Sequence, residues 1–488
     1  MAYGDIAGLI DSYAFAAFCY TPNISHVDGN VYAIAYYQPI ANQGILITLT
    51  VNPDGTIPPA IIDTHIFYAG ILTEPTITKV GANVFVIAYM PAIGPFRGRL
   101  DTIQIADDGT IGAAIDTLDI FVAGITWWTR RTNPINVSGD VWIFATQENG
   151  ALELRTISIS PAGNIGAPIS QTTMVVLGNM EFSVAHVQDN LYAVIVYGNN
   201  PLQNATVRTF TISDAGVISA EIASLVLEVS GYIQKPQLSH IAGNVWGAFY
   251  TAPPGAGVGR VRTFTINDDG TFGGLIDVFD FEANPSWVSA PIQRTDTNLF
   301  TFFYSAPSWI EIHTLTIQDD GTIGAITSTL VIPTIAGQAE NNIFKGDDVY
   351  IISAFAYPMG PGLGIIGTFG VSTKLPVVST LPASDIVVPG IGVSGQATLN
   401  GQLDYDAGEI CACGFEWGAT PPLGTTTTTQ GQNAGDSFSE AITGLAPGTY
   451  YFRAFAETDW IKVYGSTLSF KVESLKPSVA TLPATGVT

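Results

Sequence analysis

The sequence predicts an all-β chain built from repeated sheets. Three observations predict it. A phrase of alternating apolar and aromatic residues returns seven times at near-constant spacing. Each return is followed by a second alternating strand and, in all but the last, by a Gly-centred turn. Finally, Gly-Leu-Ile-Asp and an aromatic strand stand both in mid-chain (274–281) and at the start (8–15).

The phrase reads "GNVYAIAYY" (29–37) in its first copy. It recurs at 82–90, 139–147, 189–197, 243–251, 297–305 and 347–355, with Asn or Asp second in every copy: Asn30, Asn83, Asp140, Asn190, Asn244, Asn298 and Asp348. Each unit of about fifty residues reads as four strands. Strand A is short and precedes the Asn or Asp, as in "PTITKV" (75–80). Strand B is the phrase itself, rich in β-formers. Strand C alternates with period two, as in "RVRTFTI" (260–266). A tight turn such as "NDDGT" (267–271) leads to strand D, as in "IDVFDFEA" (276–283).

Repeated four-stranded antiparallel units of this length predict a β-propeller. Blade size resembles that of kelch-like propellers, but neither the di-glycine nor the Trp-Asp signature is present, so the resemblance is to the fold and to no functional family. The seventh unit stops after strand C (364–372). The orphan strand D is at the N-terminus, residues 6–16. Joining the two gives a seven-bladed propeller over residues 1–373, closed by its N-terminal strand, which removes an open sheet edge.

Residues 374–390 read as a Pro-rich linker and first strand, and 391–473 as a second, smaller β domain. Its "GLAPGTYYFRA" (444–454) resembles the corner of fibronectin type III-like domains. That resemblance implies a β-sandwich, a corner tyrosine at Tyr451 bonded to upstream backbone, and Trp417 as core aromatic. The tail, 474–488, repeats the start of this domain: "PVVSTLPA" (376–383) returns as "PSVATLPA" (477–484). Three readings follow: a further domain continues there, the tail pairs with another subunit, or it lies on its own domain.

Composition limits the function. Asp and Glu outnumber Lys and Arg 41 to 17, for a net charge of −24. Such a chain repels nucleic-acid phosphates and anionic lipid. No apolar run is long enough to span a membrane, and no signal peptide is read at the start. The three cysteines, Cys19, Cys411 and Cys413, cannot form a disulfide scaffold, and no metal or cofactor is expected.

The Asp-Gly turns have hairpin chemistry; in two of them Ala162 and Ala215 replace the carboxylate before Gly, against a calcium loop. His26, Lys79, His186, His240 and Arg294 share one repeat position on the innermost strands and are expected as a polar ring in the channel, where an anion site is an option. Loops D–A and B–C share one face. Trp127, Trp128, Arg130 and Arg131 in the longest D–A loop, with Trp309 in a B–C loop, are the candidate ligand-binding residues, because aromatics and Arg dominate recognition surfaces. No nucleophile or metal-hydrolase motif is present, and Glu74 and Glu181 lie in blades that are not neighbours, so no enzyme is expected.

The resulting expectation is a non-enzymatic structural or adhesive protein, with a propeller head and a fibronectin-like stalk. The architecture without a signal peptide resembles phage virion proteins, implying a virion-surface fibre, spike or decoration. The expected partners are other copies or structural proteins of the assembly, reached through Pro477–Thr488, and a host glycan or surface receptor. The alternatives are a secreted prokaryotic surface or filament subunit and a glycan-active propeller enzyme.

Overall fold

A computed structural model describes residues 4–91, 98–120, 133–148, 151–176, 180–198, 204–229, 233–252, 258–283, 287–288, 292–296, 298–305, 310–332, 337–346, 349–356, 362–371, 376–390, 394–406, 410–458 and 462–474. Among these residues there are strands and no helix. The chain divides into two compact units, with the break between Val371 and Ser372.

The larger unit is a series of antiparallel sheets in which each strand pairs with the next in the chain. Leu72–Lys79, Val84–Pro91, Arg99–Ile105 and Ile111–Asp119 form one such sheet, in that order. The same order holds from Ile135 to Val176, from Met180 to Glu228 and from Gln234 to Ala283. In the sheet ending at Ile332, the described parts of the first strand are Trp287–Val288 and Gln293–Arg294. This layout of four-stranded sheets fits a β-propeller.

The remaining strands form one seven-stranded sheet, and Ile6–Asp28 is why. This 23-residue strand serves twice. Its first part pairs antiparallel with Gly362–Val371, with Ile6 opposite Val371 and Cys19 opposite Gly362. Its second part pairs with Val31–Gln38, with Tyr20 opposite Tyr37 and Asp28 opposite Val31. The N-terminal strand therefore completes the sheet of Gly337–Gly346, Val349–Ala356 and Gly362–Val371, and then starts the sheet that ends at Ala69.

Strand burial follows position. Val245–Thr251, a B strand, is buried at every residue. Ile61–Ala69, a D strand, alternates between half-buried and exposed. The cores lie between consecutive sheets: Ala33 and Leu46 pack with Phe85, Ile87 and Ile103. Val86 and Leu100 pack with Trp142 and Ile157, and Phe249 and Val261 with Phe300, Phe302 and Leu315. B and C strands are thus apolar on both faces, as strands covered on both sides must be.

The sheets are also joined by a repeated buried hydrogen bond. In each strand C, one threonine Oγ1 donates to the carbonyl of the turn glycine that precedes the strand D of the next four-stranded set, the seven-stranded sheet counting as two sets. The pairs are Thr48–Gly109, Thr102–Gly163, Thr156–Gly216, Thr209–Gly270 and Thr263–Gly321, at 2.5–2.6 Å. Thr314 then bonds Gly4 and Thr368 bonds Gly55, both at 2.6 Å, so the circuit returns to its start. All seven acceptor glycines have φ between 83° and 91°, a region closed to most L-residues. Space demands glycine as well: a Cβ on Gly163 would lie 2.7 Å from Ile115 Cδ1 of the preceding sheet.

A second set of bonds runs beside the first. The backbone N–H two residues after the turn glycine donates to a strand-D side chain of the preceding sheet. Ile57 bonds Asp11, Ile111 bonds Asp63, Ile165 bonds Asp116 and Ile323 bonds Asp277, at 2.7–2.9 Å. Ser170 and Ser328 accept the equivalent bonds from Ile218 and Ile6. Asp11 and Asp277 are the aspartates of the two Gly-Leu-Ile-Asp segments, so the echo in the sequence is a repeated fastening between sheets.

The smaller unit has two antiparallel sheets. Val377–Val387, Gly395–Tyr405 and Ser437–Leu445 form one. Cys411–Gly418, Gly448–Glu457, Lys462–Tyr464 and Leu468–Val472 form the other, with short strands at 425–426 and 430–432. Leu399, Leu403 and Phe438 of the first sheet share a core with Cys411, Cys413, Phe415 and Phe452 of the second. The two cysteines are buried and form no disulfide, and burial, with Cys411 alongside, pushes Cys413 up to about 12.

Two expectations about this unit need correction. The corner tyrosine is Tyr450: its hydroxyl donates to Ala446 O and accepts from Ala446 N, both at 3.1 Å. Strand parity is the reason. Tyr450 stands on the face of buried Phe452 and Ala454, and Tyr451 on the other. Phe415, fully buried, is the central aromatic, whereas Trp417 is half-buried at the edge of the core, 6.0 Å from Tyr450.

Candidate functional site

Antiparallel order places the A–B and C–D turns at one end of each sheet in the larger unit, and the D–A and B–C connections at the other. The two ends differ in chemistry.

At the A–B and C–D end, polar groups serve the backbone. The ring nitrogens Nε2 of His26, His186 and His240 lie 3.0, 2.7 and 2.8 Å from the carbonyls of Gly29, Asp189 and Gly243, three residues on. Each imidazole also packs on the aromatic that follows the turn: Tyr32, Tyr192 and Trp246, with centroids 5.0–5.2 Å apart. Asn136, at the same repeat position, bonds Gly139 O. The longer side chains reach the preceding sheet, and Arg294 Nε also donates to Asp296 O of its own turn at 3.1 Å. Lys79 Nζ bonds Val27 O at 2.5 Å, and Arg294 Nη1 bonds Ile241 O at 2.7 Å. The five residues expected as a channel ring therefore each hold a turn or inter-sheet carbonyl.

The aspartates of the turns are occupied in the same way. Asp54, Asp108, Asp269 and Asp320 each accept the backbone N–H of the threonine two residues on, at 2.9–3.0 Å. Hydrogen bonds from that threonine hold all four below the usual carboxylate range. This is turn chemistry. Among the described residues no group of three acidic, His or Cys side chains is placed to hold a metal ion.

The D–A and B–C end is different. Trp127, Trp128, Arg130, Arg131 and Trp309 belong to it and lie outside the described residues. The described part carries a repeated irregularity. In three sheets strand A opens with an X-Pro bulge: Thr21-Pro22, Glu74-Pro75 and Lys235-Pro236. The ladder to strand B skips there, between Tyr20 and Asn23, Thr73 and Thr76, and Gln234 and Gln237. The residue before proline has φ of 52°, 46° and 43° respectively, strained for a residue with a Cβ.

Around the first bulge several side chains converge. Asn23, 3% exposed, accepts from Ile77 N at 2.9 Å through Oδ1. Its Nδ2 donates to Asn133 Oδ1 at 3.4 Å. Asn133 also precedes a proline, in the sheet after next. Tyr20 and Tyr37, both half-buried, stack with centroids 6.3 Å apart and planes 20° apart. Tyr37 OH donates to Asn42 Oδ1 at 2.9 Å. Burial, and Tyr20 beside it, raise the Tyr37 hydroxyl above its ordinary value. X-Pro at one fixed offset before the phrase, in three of its seven copies, is the sequence signal that marks these positions.

Charged clusters lie on strand C toward this same end. Glu228 Oε1 accepts from Tyr250 OH, Arg260 and Arg262 at 2.7–3.1 Å, and Arg260 also pairs with Asp280. Asp101 accepts from Tyr89 OH, Arg99 and Thr117. These pairs are internally satisfied and hold neighbouring strands together.

No family model matches the chain, and no curated protein matches it. Among solved structures it is similar to a protein from Lactobacillus plantarum, at 13% identity and a TM-score of 0.45, covering 69% of this chain and 99% of that one. It is similar to Sqt1 from Chaetomium thermophilum, at 9% identity and a TM-score of 0.44, covering 81% and 97%. A calcium-binding protein, regucalcin, from Agrobacterium tumefaciens is similar at 10% identity and a TM-score of 0.35, covering 76% and 96%. What the chain's own sheets establish is an all-β protein of repeated four-stranded antiparallel sheets in a layout that fits a β-propeller.

Proposed function

We propose that this is a non-catalytic binding protein, with a seven-bladed propeller head whose last blade takes its outer strand from the N-terminus. The circuit of seven Thr–Gly bonds supports that blade count, because each set of four strands contributes one donor and one acceptor, the seven-stranded sheet counting as two sets that share Ile6–Asp28. The smaller unit reads as a fibronectin type III-like domain. Its three-stranded sheet against a larger one, and its corner tyrosine, support that reading.

The observation that carries the binding role is the contrast between the two ends. At the A–B and C–D end, the His, Lys, Arg and Asp side chains of the repeat hold backbone groups. The D–A and B–C end carries the longer connections, the strained X-Pro positions and the Trp127–Arg131 segment. Recognition belongs there. The ligand is a glycan or a protein surface, and the assembly is a virion surface, where the tail Pro477–Thr488 joins other copies or structural proteins.

Two measurements test this. Binding to a glycan array and to host cells should fall at least tenfold in Trp127→Ala and Trp128→Ala, and unchanged binding removes that loop. Genes for particle assembly should flank this gene. Their absence overturns the virion placement and favours a secreted surface protein.

A further inference from the structure

We infer that Pro477–Thr488 is a second version of the smaller unit's first strand, and that it takes the place of Val377–Val387 in the sheet of another copy of this chain, pairing there with Gly395–Tyr405. The inference rests on the reading that this segment joins copies, and gives that joint a sheet, a register and residues.

The described strand sets out what its place demands. Val377–Val387 is an outer strand, paired with Gly395–Tyr405 alone. Val378 and Thr380 are 7% and 8% exposed, and Ala383 packs against the core. Thr380 Oγ1 accepts from Ala454 N of the opposite sheet at 2.9 Å. Pro382 falls where the ladder skips, between Leu381 and Ser384, and its carbonyl accepts from Asn400 Nδ2 at 2.8 Å. Asp385 has a φ of 48°, where glycine fits best.

Pro477–Thr488 meets each demand at a constant offset of 101 residues. Val479, Thr481 and Ala484 stand for Val378, Thr380 and Ala383, and Pro483 for Pro382. Gly486 stands for Asp385, so the strained position receives the residue that its φ calls for. The other changes fall on exposed or half-buried positions, as with Ser478 for Val377 and Ala480 for Ser379. A sequence that keeps the inward set and varies the outward one is built for the same place.

Reach rules out the same chain. Val387 lies opposite Gln396, Gly395 opposite Leu445 and Val472 opposite Gly448, so Val387 and Val472 finish at one end of the unit. The position of Val377, which Ser478 would take, is at the other end, about 30 Å away by strand length. The stretch from Val472 to Ser478 spans about 20 Å at most. Ser478 therefore reaches that position only in a second copy. Each copy then offers one donor strand and one place for it, a head-to-tail contact that propagates as an open chain. The resident strand competes from its own chain, so exchange rises with concentration.

The test uses the full chain. Ala480→Cys with Gln402→Cys joins the positions that correspond to Ser379 and Gln402, opposite each other in the described sheet. Oxidation should link one copy to the next, read as a ladder on a non-reducing gel. Ala480→Cys with Gln396→Cys, opposite Val387 instead, should give none. No ladder from the first pair, or a link within one chain only, overturns the inference. Light scattering across a concentration series separates this from the reading beneath it. Wild type should associate, Val479→Asp should stay monomeric, and Asp385→Gly, which relieves the resident strand, should associate less. If Val479→Asp stays monomeric but the first pair does not link, this sheet is not the acceptor, and the reading that the segment joins copies stands. If wild type stays monomeric, or Val479→Asp associates as wild type does, both fall.

Discussion

Thr314 Oγ1 donates to Gly4 O at 2.6 Å, although 310 residues separate them. The bond matches six others in the larger unit, and with the Ile6–Ser328 bond it ties the start of Ile6–Asp28 to the preceding sheet, ending at Ile332. A chain starting at residue 17 should lose this bond, the Ile6–Ser328 bond and the ladder to Gly362–Val371. Calorimetry should show the transition of the larger unit lowered by 10 °C or more or abolished, with that of the smaller unit unchanged. An unshifted first transition would refute the role assigned to this strand.

Removing one donor of the circuit should cost less. Thr209→Val keeps the shape and leaves the buried Gly270 carbonyl without its bond. A loss of roughly 1–3 kcal/mol is expected, measured by denaturant unfolding. Gly321→Ala should cost at least as much, since φ is +90° and the new methyl would lie 2.7 Å from Ile276 Cδ1.

One inter-sheet position lacks an acceptor and can be given one. Ala223 stands where Asp11, Asp63, Asp116 and Asp277 accept the N–H that follows the next turn, and the corresponding N–H is that of Phe272. Ala223→Asp should stabilise the unit by about 0.5–1.5 kcal/mol, read as a raised thermal midpoint.

His313 should make stability depend on acidity. It is 3% exposed, stacked on Phe302 and Tyr304, and its Nδ1 lies 2.9 Å from Thr329 Oγ1. Its Nε2 lies 3.1 Å from Glu311 Oε2. Burial lowers it from 6.5 to about 4. The unfolded chain therefore takes up this proton first. The neutral ring's contribution is complete above pH 6.5 and is lost as pH falls toward 4, by up to about 3 kcal/mol. His313→Gln should flatten the midpoint-against-pH curve in that window.

The corner of the smaller unit offers a paired test. Tyr450→Phe removes both bonds to Ala446 and should lower that unit's stability by about 1–2 kcal/mol. Tyr451→Phe should leave it unchanged. The reverse outcome would restore the reading taken from motif spacing.

The repeat and the pairing of the N-terminal strand were legible because both rest on period-two patterning and on counting strands. The Thr–Gly circuit was not, because threonine is ordinary in a strand; its recurrence at one register position in every strand C was the available signal. Tyr451 was preferred because the motif counts residues from Leu445, whereas burial on Phe452's face decides which tyrosine turns inward. The polar ring was expected from shared position alone. The sequence does not reveal that Gly29 O, Asp189 O and Gly243 O lie within reach of the three imidazoles. The bulges were equally hidden, since X-Pro in a strand predicts an interruption but not its φ.

The double role of Ile6–Asp28 has a consequence for synthesis. The strand leaves the ribosome well before half of its partners, Gly362–Val371, which are made some 340 residues later. During that interval the first sheets can form in order while Ile6–Cys19 waits with an unpaired edge. The ladder of Ile6–Cys19 is complete only when residue 371 has emerged, so the nascent chain exposes this edge to a chaperone, or to the edge of another copy, for a long interval.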